Sequence, residues 1–162
     1  MSAGSEGSLK PSKDLNLLAP KFKAAIEAAI AECDTGGFNA IVFEAYRSDQ
    51  LQKLYYARGR TIIPPTHTVT NAPNNQYSWH GYGLAVDVIH KEKFWNPPEG
   101  EGWFRNVAAV FKKHGCNWGG DWKHPDTPHF QWGKCKPSPS DEARKLLATG
   151  GIQAVWEAVD AN

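Results

Sequence analysis

The sequence predicts an α+β domain in which helices flank a small, antiparallel sheet, because helical and extended patterns alternate along the chain. From Pro20 to about Glu32, apolar residues recur every fourth position, as on one face of a helix. Two segments, Asn39–Tyr46 and Leu84–Ile89, are typical of strands, and the second alternates between two faces. No internal repeat is visible, so these elements are expected to share one core.

Length and composition indicate a single globular domain. The 162 residues are 41% hydrophobic and 22% charged, with a formal net charge of +1. This charge gives no broad attraction to nucleic acid, and no apolar run approaches the roughly 20 residues that span a bilayer. We expect residues 1–13, which are rich in Gly, Ser and Lys, to form a flexible tail, and 14–162 to form one monomeric domain without membrane insertion.

Caps and breaks define the remaining elements. Ser48 is a typical N-cap for the helix that follows it, and the Gly150-Gly151 pair separates the last two helices. The further predicted elements are helices over Asp49–Arg58, Glu101–His114, about Pro139–Ala148 and Ile152–Val159, and a short strand over Phe130–Trp132. The segment Gly59–Tyr77 has no sustained period, and we interpret it as a candidate wall of a substrate site.

Two short segments contain the residues of a metal site. His80 precedes the second strand, Asp87 lies within it, and His129 begins the strand near residue 130. If these two strands pair antiparallel, Asp87 and His129 point to the same side. A catalytic zinc site takes three protein ligands and leaves the fourth position to water. The three side chains therefore predict a site for one Zn²⁺ ion.

The residues around these ligands predict a metal-dependent hydrolase. Asp126, three residues before His129, is suited to act as a general base and then as an acid toward a leaving amine. Arg47, at the end of the first strand, could bind a substrate carboxylate or a developing oxyanion. Spacing leaves two alternatives open, namely His124 in place of His129 as ligand and Asp121 in place of Asp126 as base.

The two segments together resemble a known family. The pattern Ser78-x-His80-x-x-Gly83-x-Ala85-x-Asp87, followed by Asp126-x-Pro128-His129-Phe130, resembles the D-alanyl-D-alanine carboxypeptidase/L-alanyl-D-glutamate endopeptidase family of zinc peptidases. That family shares a fold with the N-terminal domain of hedgehog proteins. Further agreement lies in Tyr46-Arg47-Ser48, Gly59-Arg60-Thr61, Val69-Thr70-Asn71-Ala72, and Gly150-Gly151-Ile152 with Trp156. The resemblance thus covers nearly the whole chain after the tail.

The resemblance implies a role for each site residue. It implies zinc on His80, Asp87 and His129, with Asp126 as the base, and so decides against His124 and Asp121. It also implies that Arg47 acts in catalysis and contacts the substrate, with Ser78 beside it as a second substrate-binding residue.

The implied function is hydrolysis of the peptidoglycan stem peptide. The similarity is greatest to phage endolysins that cleave the L-Ala-D-Glu bond, and the alternative is a D-Ala-D-Ala carboxypeptidase that trims stem termini. Asp126 favours the endopeptidases, because the dipeptidases and carboxypeptidases of vancomycin resistance have Glu at that position. The N-terminus has no apolar signal core, so we expect accumulation in the host cytoplasm and release to the wall by a holin-type protein.

Overall fold

The computed structural model describes residues 9–162, which fold as four α-helices around a four-stranded antiparallel sheet. The helices are α1 (Pro20–Thr35), α2 (Asp49–Ala57), α3 (Glu101–Lys113) and α4 (Asp141–Ala158), and the strands are β1 (Ala40–Glu44), β2 (Ala85–His90), β3 (Cys116–Trp118) and β4 (His129–Trp132). This confirms the predicted α+β class. Within the described range, no helix combines the length and the apolar character that crossing a membrane requires.

The sheet has the strand order β1-β2-β4-β3, and every neighbouring pair is antiparallel. In the pairing of β2 with β4, Asp87 lies directly opposite His129 and Ala85 opposite Gln131. Residues opposite each other in an antiparallel pair extend from the same face of the sheet. The expected placement of Asp87 and His129 on one side is therefore what the register produces.

An irregularity in β1 brings a further acid to that face. Val42 pairs with Val88, but the next pair is Glu44 with Asp87, so one residue of β1, Phe43, is left over. Such a bulge re-aims the side chains that follow it. Without the extra residue, Phe43 would lie opposite Asp87; with it, the carboxylate of Glu44 does.

The other face of the sheet is covered by α1 and α3. Phe22 of α1, Phe111 of α3 and Phe130 of β4 are fully buried there, together with Val86 and Val88 of β2. The rings of Phe111 and Phe130 stack at a centroid distance of 4.3 Å. Because this apolar layer fills one face, the strands carry their polar residues on the opposite face, where the site forms.

The C-terminal helix begins two residues later than predicted. The side chain of Ser140 caps the helix by accepting a hydrogen bond from the amide of Ala143. Pro139 therefore precedes the helix and does not open it. Further along, Gly151 adopts φ 75° and ψ −177°, which breaks the helical run at the predicted glycine pair. The strand β3 was not predicted, since three residues carry too little pattern to identify a strand.

The predicted N-terminal tail falls largely outside the described residues, which begin at Leu9. Near its end, the carbonyl oxygen of Ser12 accepts a hydrogen bond of 2.6 Å from the amide of Ala45. Ser12 therefore already contacts the segment that follows β1, although the domain was expected to begin only at residue 14.

Candidate active site

The three predicted metal ligands converge on the polar face of the sheet. His80 lies in a short 3₁₀ turn, Trp79–Tyr82, immediately before β2. Its Nε2 is 3.4 Å from Oδ1 of Asp87, and Nδ1 of His129 is 3.5 Å from the same oxygen. One ligand atom from each residue lies within 4.8 Å of the other two. All three side chains are buried or nearly so.

These separations fit a divalent cation. Zinc bound tetrahedrally to nitrogen and oxygen at about 2.0–2.1 Å sets its ligands about 3.3 Å apart. The two separations measured from Asp87, 3.4 and 3.5 Å, match that value. Two imidazoles and one carboxylate are also a donor set that zinc commonly takes in catalytic sites. The residues present therefore fit the metal that the sequence predicts.

The 3₁₀ turn and its neighbours hold the ring of His80. The hydroxyl of Ser78 caps the turn by accepting a hydrogen bond from the amide of His80 at 3.3 Å. Nδ1 of His80 is 2.8 Å from the carbonyl oxygen of Ala45, and an N–H at Nδ1 donates to it. This leaves Nε2 as the lone-pair nitrogen that faces Asp87. Ser78, predicted to bind substrate, thus caps the turn that positions His80, a predicted metal ligand.

A glutamine that the sequence did not single out holds the ring of His129. Oε1 of Gln131 is 2.8 Å from Nε2 of His129, and the Gln131 amide donates to the carbonyl oxygen of Lys136 at 2.8 Å. The second bond fixes which end of the amide faces the histidine. Nε2 of His129 is therefore the protonated nitrogen, and Nδ1 is free to bind a metal.

Charge in this group favours an ionised carboxylate. Burial by itself raises the pKa of Asp87, but the adjacent imidazoles of His80 and His129 outweigh it and hold that pKa well below its usual value. In the same way burial lowers the pKa of His129, and the Asp87 carboxylate more than reverses that effect, so the pKa of His129 is raised. Acid therefore protonates His129 in competition with a metal ion.

Asp126 lies beside the three ligands without belonging to them. Its Oδ2 is 4.0 Å from Nδ1 of His129, and about half of its side chain is exposed. Desolvation in the cleft, and next the negative charge of Asp87, raise the pKa of Asp126. A raised pKa makes a carboxylate a better proton acceptor. The position and the basicity both suit the predicted general base.

A glycine allows the Asp126 turn to approach the ligands. The carbonyl of Gly119 accepts a hydrogen bond of 2.9 Å from the amide of Asp126. A Cβ atom at Gly119 would lie 2.5 Å from the carbonyl oxygen of Asp126 and 3.1 Å from Cβ of His129. Any larger residue at position 119 would therefore push the Asp126 turn away from His129. Sequence analysis did not identify this requirement.

Arg47 lies behind Asp87, largely enclosed by protein. Its Nε and Nη2 donate to one oxygen of Glu44 at 3.1 and 2.7 Å, and its Nη1 donates to Gln52 at 2.8 Å. Nη2 is also 3.6 Å from Oδ2 of Asp87, the oxygen that does not face the histidines. Most donors of the guanidinium are thus engaged, and the whole residue is only 8% exposed. Glu44, placed by the bulge, is a second site residue that sequence analysis missed.

The structure separates the two alternatives that spacing left open. Asp121 forms an ion pair of 2.7 Å with Lys112 and does not line the cleft that holds Asp126. His124 lines the rim of that cleft, but within residues 9–162 the group able to hold a metal comprises His80, Asp87 and His129 alone. Proximity therefore favours His129 over His124 as a ligand.

The metal ligands open into a cleft of about 1160 Å³. Its lining includes part of the segment predicted to contact substrate, Val69–Ala72, and the segment Trp122–Asp126. The side chain of Gln52 fixes the first of these segments by donating to the carbonyl oxygen of Ala72 at 2.9 Å. A cleft of this volume, lined by the predicted metal ligands and by Asp126, is large enough for a ligand of drug-like size or more.

Comparison with known proteins assigns the family. Residues 71–132, which include all three metal ligands, match the model of a family described as D-alanyl-D-alanine carboxypeptidase. Over 124 residues the chain is 32% identical to the peptidoglycan L-alanyl-D-glutamate endopeptidase CwlK of Bacillus subtilis, with coverage of 70% of this chain and 72% of that protein. The chain belongs to the D-alanyl-D-alanine carboxypeptidase and L-alanyl-D-glutamate endopeptidase family. The predicted membership is confirmed.

Two solved structures show that this family member has the expected fold. The Serratia marcescens L-Ala D-Glu endopeptidase ChiX superimposes with a TM-score of 0.51 at 22% identity, covering 73% of this chain and 82% of that one. The LdcB LD-carboxypeptidase gives a TM-score of 0.57 at 15% identity, covering 94% of this chain and 74% of that one. At these identities the likeness supports the architecture.

Proposed function

We propose that this peptidase is a zinc-dependent endopeptidase that hydrolyses the L-Ala-D-Glu bond of the peptidoglycan stem peptide. The observation that carries the proposal is the convergence of His80, Asp87 and His129 at ligand spacing, with Asp126 beside them at the base of an open cleft. The choice of bond is supported by the 32% identity to a peptidoglycan L-alanyl-D-glutamate endopeptidase.

In the proposed reaction, a bound metal would act as a Lewis acid and Asp126 would transfer the protons. His80, Asp87 and His129 would hold a divalent cation, which would supply Lewis-acid chemistry toward a water molecule and the scissile carbonyl. Asp126 accepts a proton from the attacking water as the new C–O bond forms. It returns that proton to the amide nitrogen as the C–N bond breaks, so the products are a free carboxylate and a free amine.

Arg47 supports this chemistry from behind the ligands. Its positive charge, 3.6 Å from Oδ2 of Asp87, favours the ionised carboxylate that a metal needs. Its guanidinium has N–H groups beyond the three that donate to Glu44 and Gln52, and these are available to a substrate oxygen in the cleft. Ser78 lines the same cleft and sets the turn that carries His80. Both residues keep their predicted place at the substrate as part of this proposal.

Digestion of purified sacculi tests the bond. Zinc-loaded protein is incubated with sacculi, and mass spectrometry identifies the new termini in the soluble fragments. We expect free amino groups on D-Glu and free carboxyl groups on L-Ala. The alternative activity, that of a D-Ala-D-Ala carboxypeptidase, is favoured by the description of the matching family and would release single D-Ala residues. Protein that binds sacculi without cleaving them would refute both activities.

We propose further that the enzyme acts as a phage endolysin, made in the host cytoplasm and released to the wall by a holin-type protein. The resemblance of its motifs to phage endolysins supports this role. Expression in a susceptible bacterium tests it: turbidity should fall only when a membrane-permeabilising protein is produced together with the enzyme. Unchanged turbidity in the presence of both proteins would contradict the proposed role in lysis.

A further inference from the structure

We propose that Arg58, seated beside the ring of Tyr55, binds the free carboxylate of the glutamyl residue in the substrate. The inference rests on the proposed L-Ala-D-Glu endopeptidase activity and identifies a residue that recognises the glutamyl side of that bond. Arg58 lies at the C-terminal end of α2 and lines the same cleft as the metal ligands.

The glutamyl residue of the substrate has a free carboxylate to which an arginine side chain can bind. A glutamyl residue has two carboxyl groups, and extending the chain uses only one of them in a peptide bond. The other remains as a carboxylate next to the scissile bond unless it is amidated. A planar guanidinium binds a carboxylate with two parallel hydrogen bonds, which makes arginine the side chain best matched to this group.

Arg47, the arginine that the sequence predicted to bind a substrate carboxylate, has few hydrogen-bond donors left for one. Its guanidinium already donates to Glu44 and Gln52 and lies against Asp87. Binding a substrate carboxylate through both nitrogens would break these contacts and strand the buried Glu44, which is costly.

Arg58, in contrast to Arg47, has a guanidinium that is available for a substrate carboxylate. Its guanidinium carbon is 5.5 Å from the centre of the Tyr55 ring, and the same ring lies 4.8 Å from the guanidinium carbon of Arg47. Within the described part of the chain, Arg58 is half-buried and forms no ion pair with a carboxylate. Both arginines therefore contact the same ring and line the same cleft, but only Arg47 is paired with carboxylates.

The backbone of Arg58 is held in place while its side chain stays available. Its amide donates to the carbonyl of Leu54 at 3.2 Å, and the amide of Gly59 donates to Ile62 at 2.9 Å. Arg58 and Ile62 also form an isolated β-bridge. Gly59 has φ 84°, and a Cβ there would lie 2.1 Å from the carbonyl oxygen of His67, so the turn after Arg58 is tightly packed. A fixed backbone reduces the entropy lost when the side chain binds an anion.

The test compares two synthetic stem peptides that differ only in whether the glutamyl carboxylate is free or amidated. The measured quantity is the ratio of kcat/KM for the two peptides, determined for zinc-loaded wild type, Arg58→Gln and Arg105→Gln. Arg105 is an exposed arginine of α3 that does not line the cleft, so its replacement controls for the loss of one positive charge.

We expect the wild type and Arg105→Gln to prefer the free carboxylate by about 10-fold or more, the scale of a charge-assisted hydrogen bond. In Arg58→Gln that preference should fall to near unity, mainly through a higher KM for the carboxylate peptide. A loss of stability alone would lower both rates together and leave the ratio intact. A preserved ratio in Arg58→Gln, or no preference in the wild type, would overturn the Arg58 assignment while leaving the activity standing. Failure of the wild type to cleave either peptide would instead refute the proposed function and this inference with it.

Discussion

Each imidazole of the proposed metal site is oriented by a protein acceptor at the nitrogen that faces away from Asp87. For His80 the acceptor is the carbonyl oxygen of Ala45, and for His129 it is the side chain of Gln131. The two rings consequently present different nitrogens, Nε2 and Nδ1, toward Asp87. Residue type and spacing predicted His80 and Asp87 as ligands but left His124 as an alternative to His129, and the structure brings His80, Asp87 and His129 together. The tautomers of the two histidines were not predictable, because the acceptors come from a strand end and from the residue two positions beyond His129.

Replacing Gln131 by Leu tests that orientation. The change removes the acceptor for His129 and should lower zinc affinity by about 10–100-fold, as expected for the loss of a hydrogen-bond partner of a metal ligand. Titration of the metal-free protein against a competing chelator measures the dissociation constant. Gln153→Leu, at an exposed position of α4, provides the matched control. Equal zinc affinity in the two variants would show that Gln131 has no role in holding the ligand.

Asp126→Ala tests the general base. The side chain lies outside the ligand set, so zinc stoichiometry should stay at one per chain while kcat falls by roughly 10²-fold or more. Asp121→Ala is the matched control, because that carboxylate pairs with Lys112 away from the cleft. Wild-type turnover in Asp126→Ala, or an equal loss in Asp121→Ala, would contradict the assigned base.

Among the elements, the strand register is what assembles the site. Pairing β2 with β4 places Asp87 opposite His129, and the bulge in β1 adds Glu44 to the same row. The alternation of apolar and polar residues made β2 and its face predictable. The bulge left no signal, because Ile41-Val42-Phe43 has the same character as an ordinary buried strand. Register shifts of this kind are decided by contacts between strands, which a local pattern does not contain.

The turn that carries His80 needs a glycine, and Gly81→Ala tests this. A Cβ at Gly81 would lie 2.1 Å from the carbonyl oxygen of Asn75, so the turn must shift. We expect a loss of about 1–3 kcal/mol in the free energy of unfolding of the metal-free protein, with weaker zinc binding. Urea denaturation and a zinc titration measure the two effects.

Gly102→Ala is the control for that substitution. Gly102 lies in α3 and its nearest neighbour would be 3.9 Å from an added Cβ, so alanine should stabilise the protein by about 0.4–1 kcal/mol. Destabilisation by Gly102→Ala, or unchanged stability and zinc affinity in Gly81→Ala, would show that the close approach at Gly81 does not constrain the turn.

Over the whole molecule, an exposed ion cluster ties the two ends of the domain together. Asp160, near the C-terminus, accepts hydrogen bonds of 2.7 Å from Lys21 of α1 and from Lys134 after β4. The hydrogen bonds from Lys134 and Lys21 lower the pKa of Asp160 to about 2. These three residues are far apart in sequence and lie on three different segments, so no local motif predicts the contact.

Asp160→Asn should change how stability depends on pH. A carboxylate whose pKa is lower in the folded than in the unfolded protein stabilises the fold above its unfolded pKa, about 3.9, and this contribution is lost as the pH falls toward 2. Asn tolerates the positive φ of 52° at this position. The wild type should therefore have a higher unfolding temperature than Asp160→Asn at pH about 6, and the difference should shrink below pH about 3. A difference that stays constant with pH would contradict this role for the ion cluster.

The proposed site holds one divalent cation between β2, β4 and the turn before β2. Anomalous diffraction from crystals of the zinc-loaded protein, measured at the zinc absorption edge, tests this proposal. We predict a single anomalous peak at about 2.0–2.2 Å from Nε2 of His80, a carboxylate oxygen of Asp87 and Nδ1 of His129. A peak bound by any other set of side chains, or no peak at these three, would show that the metal does not bind at the proposed site.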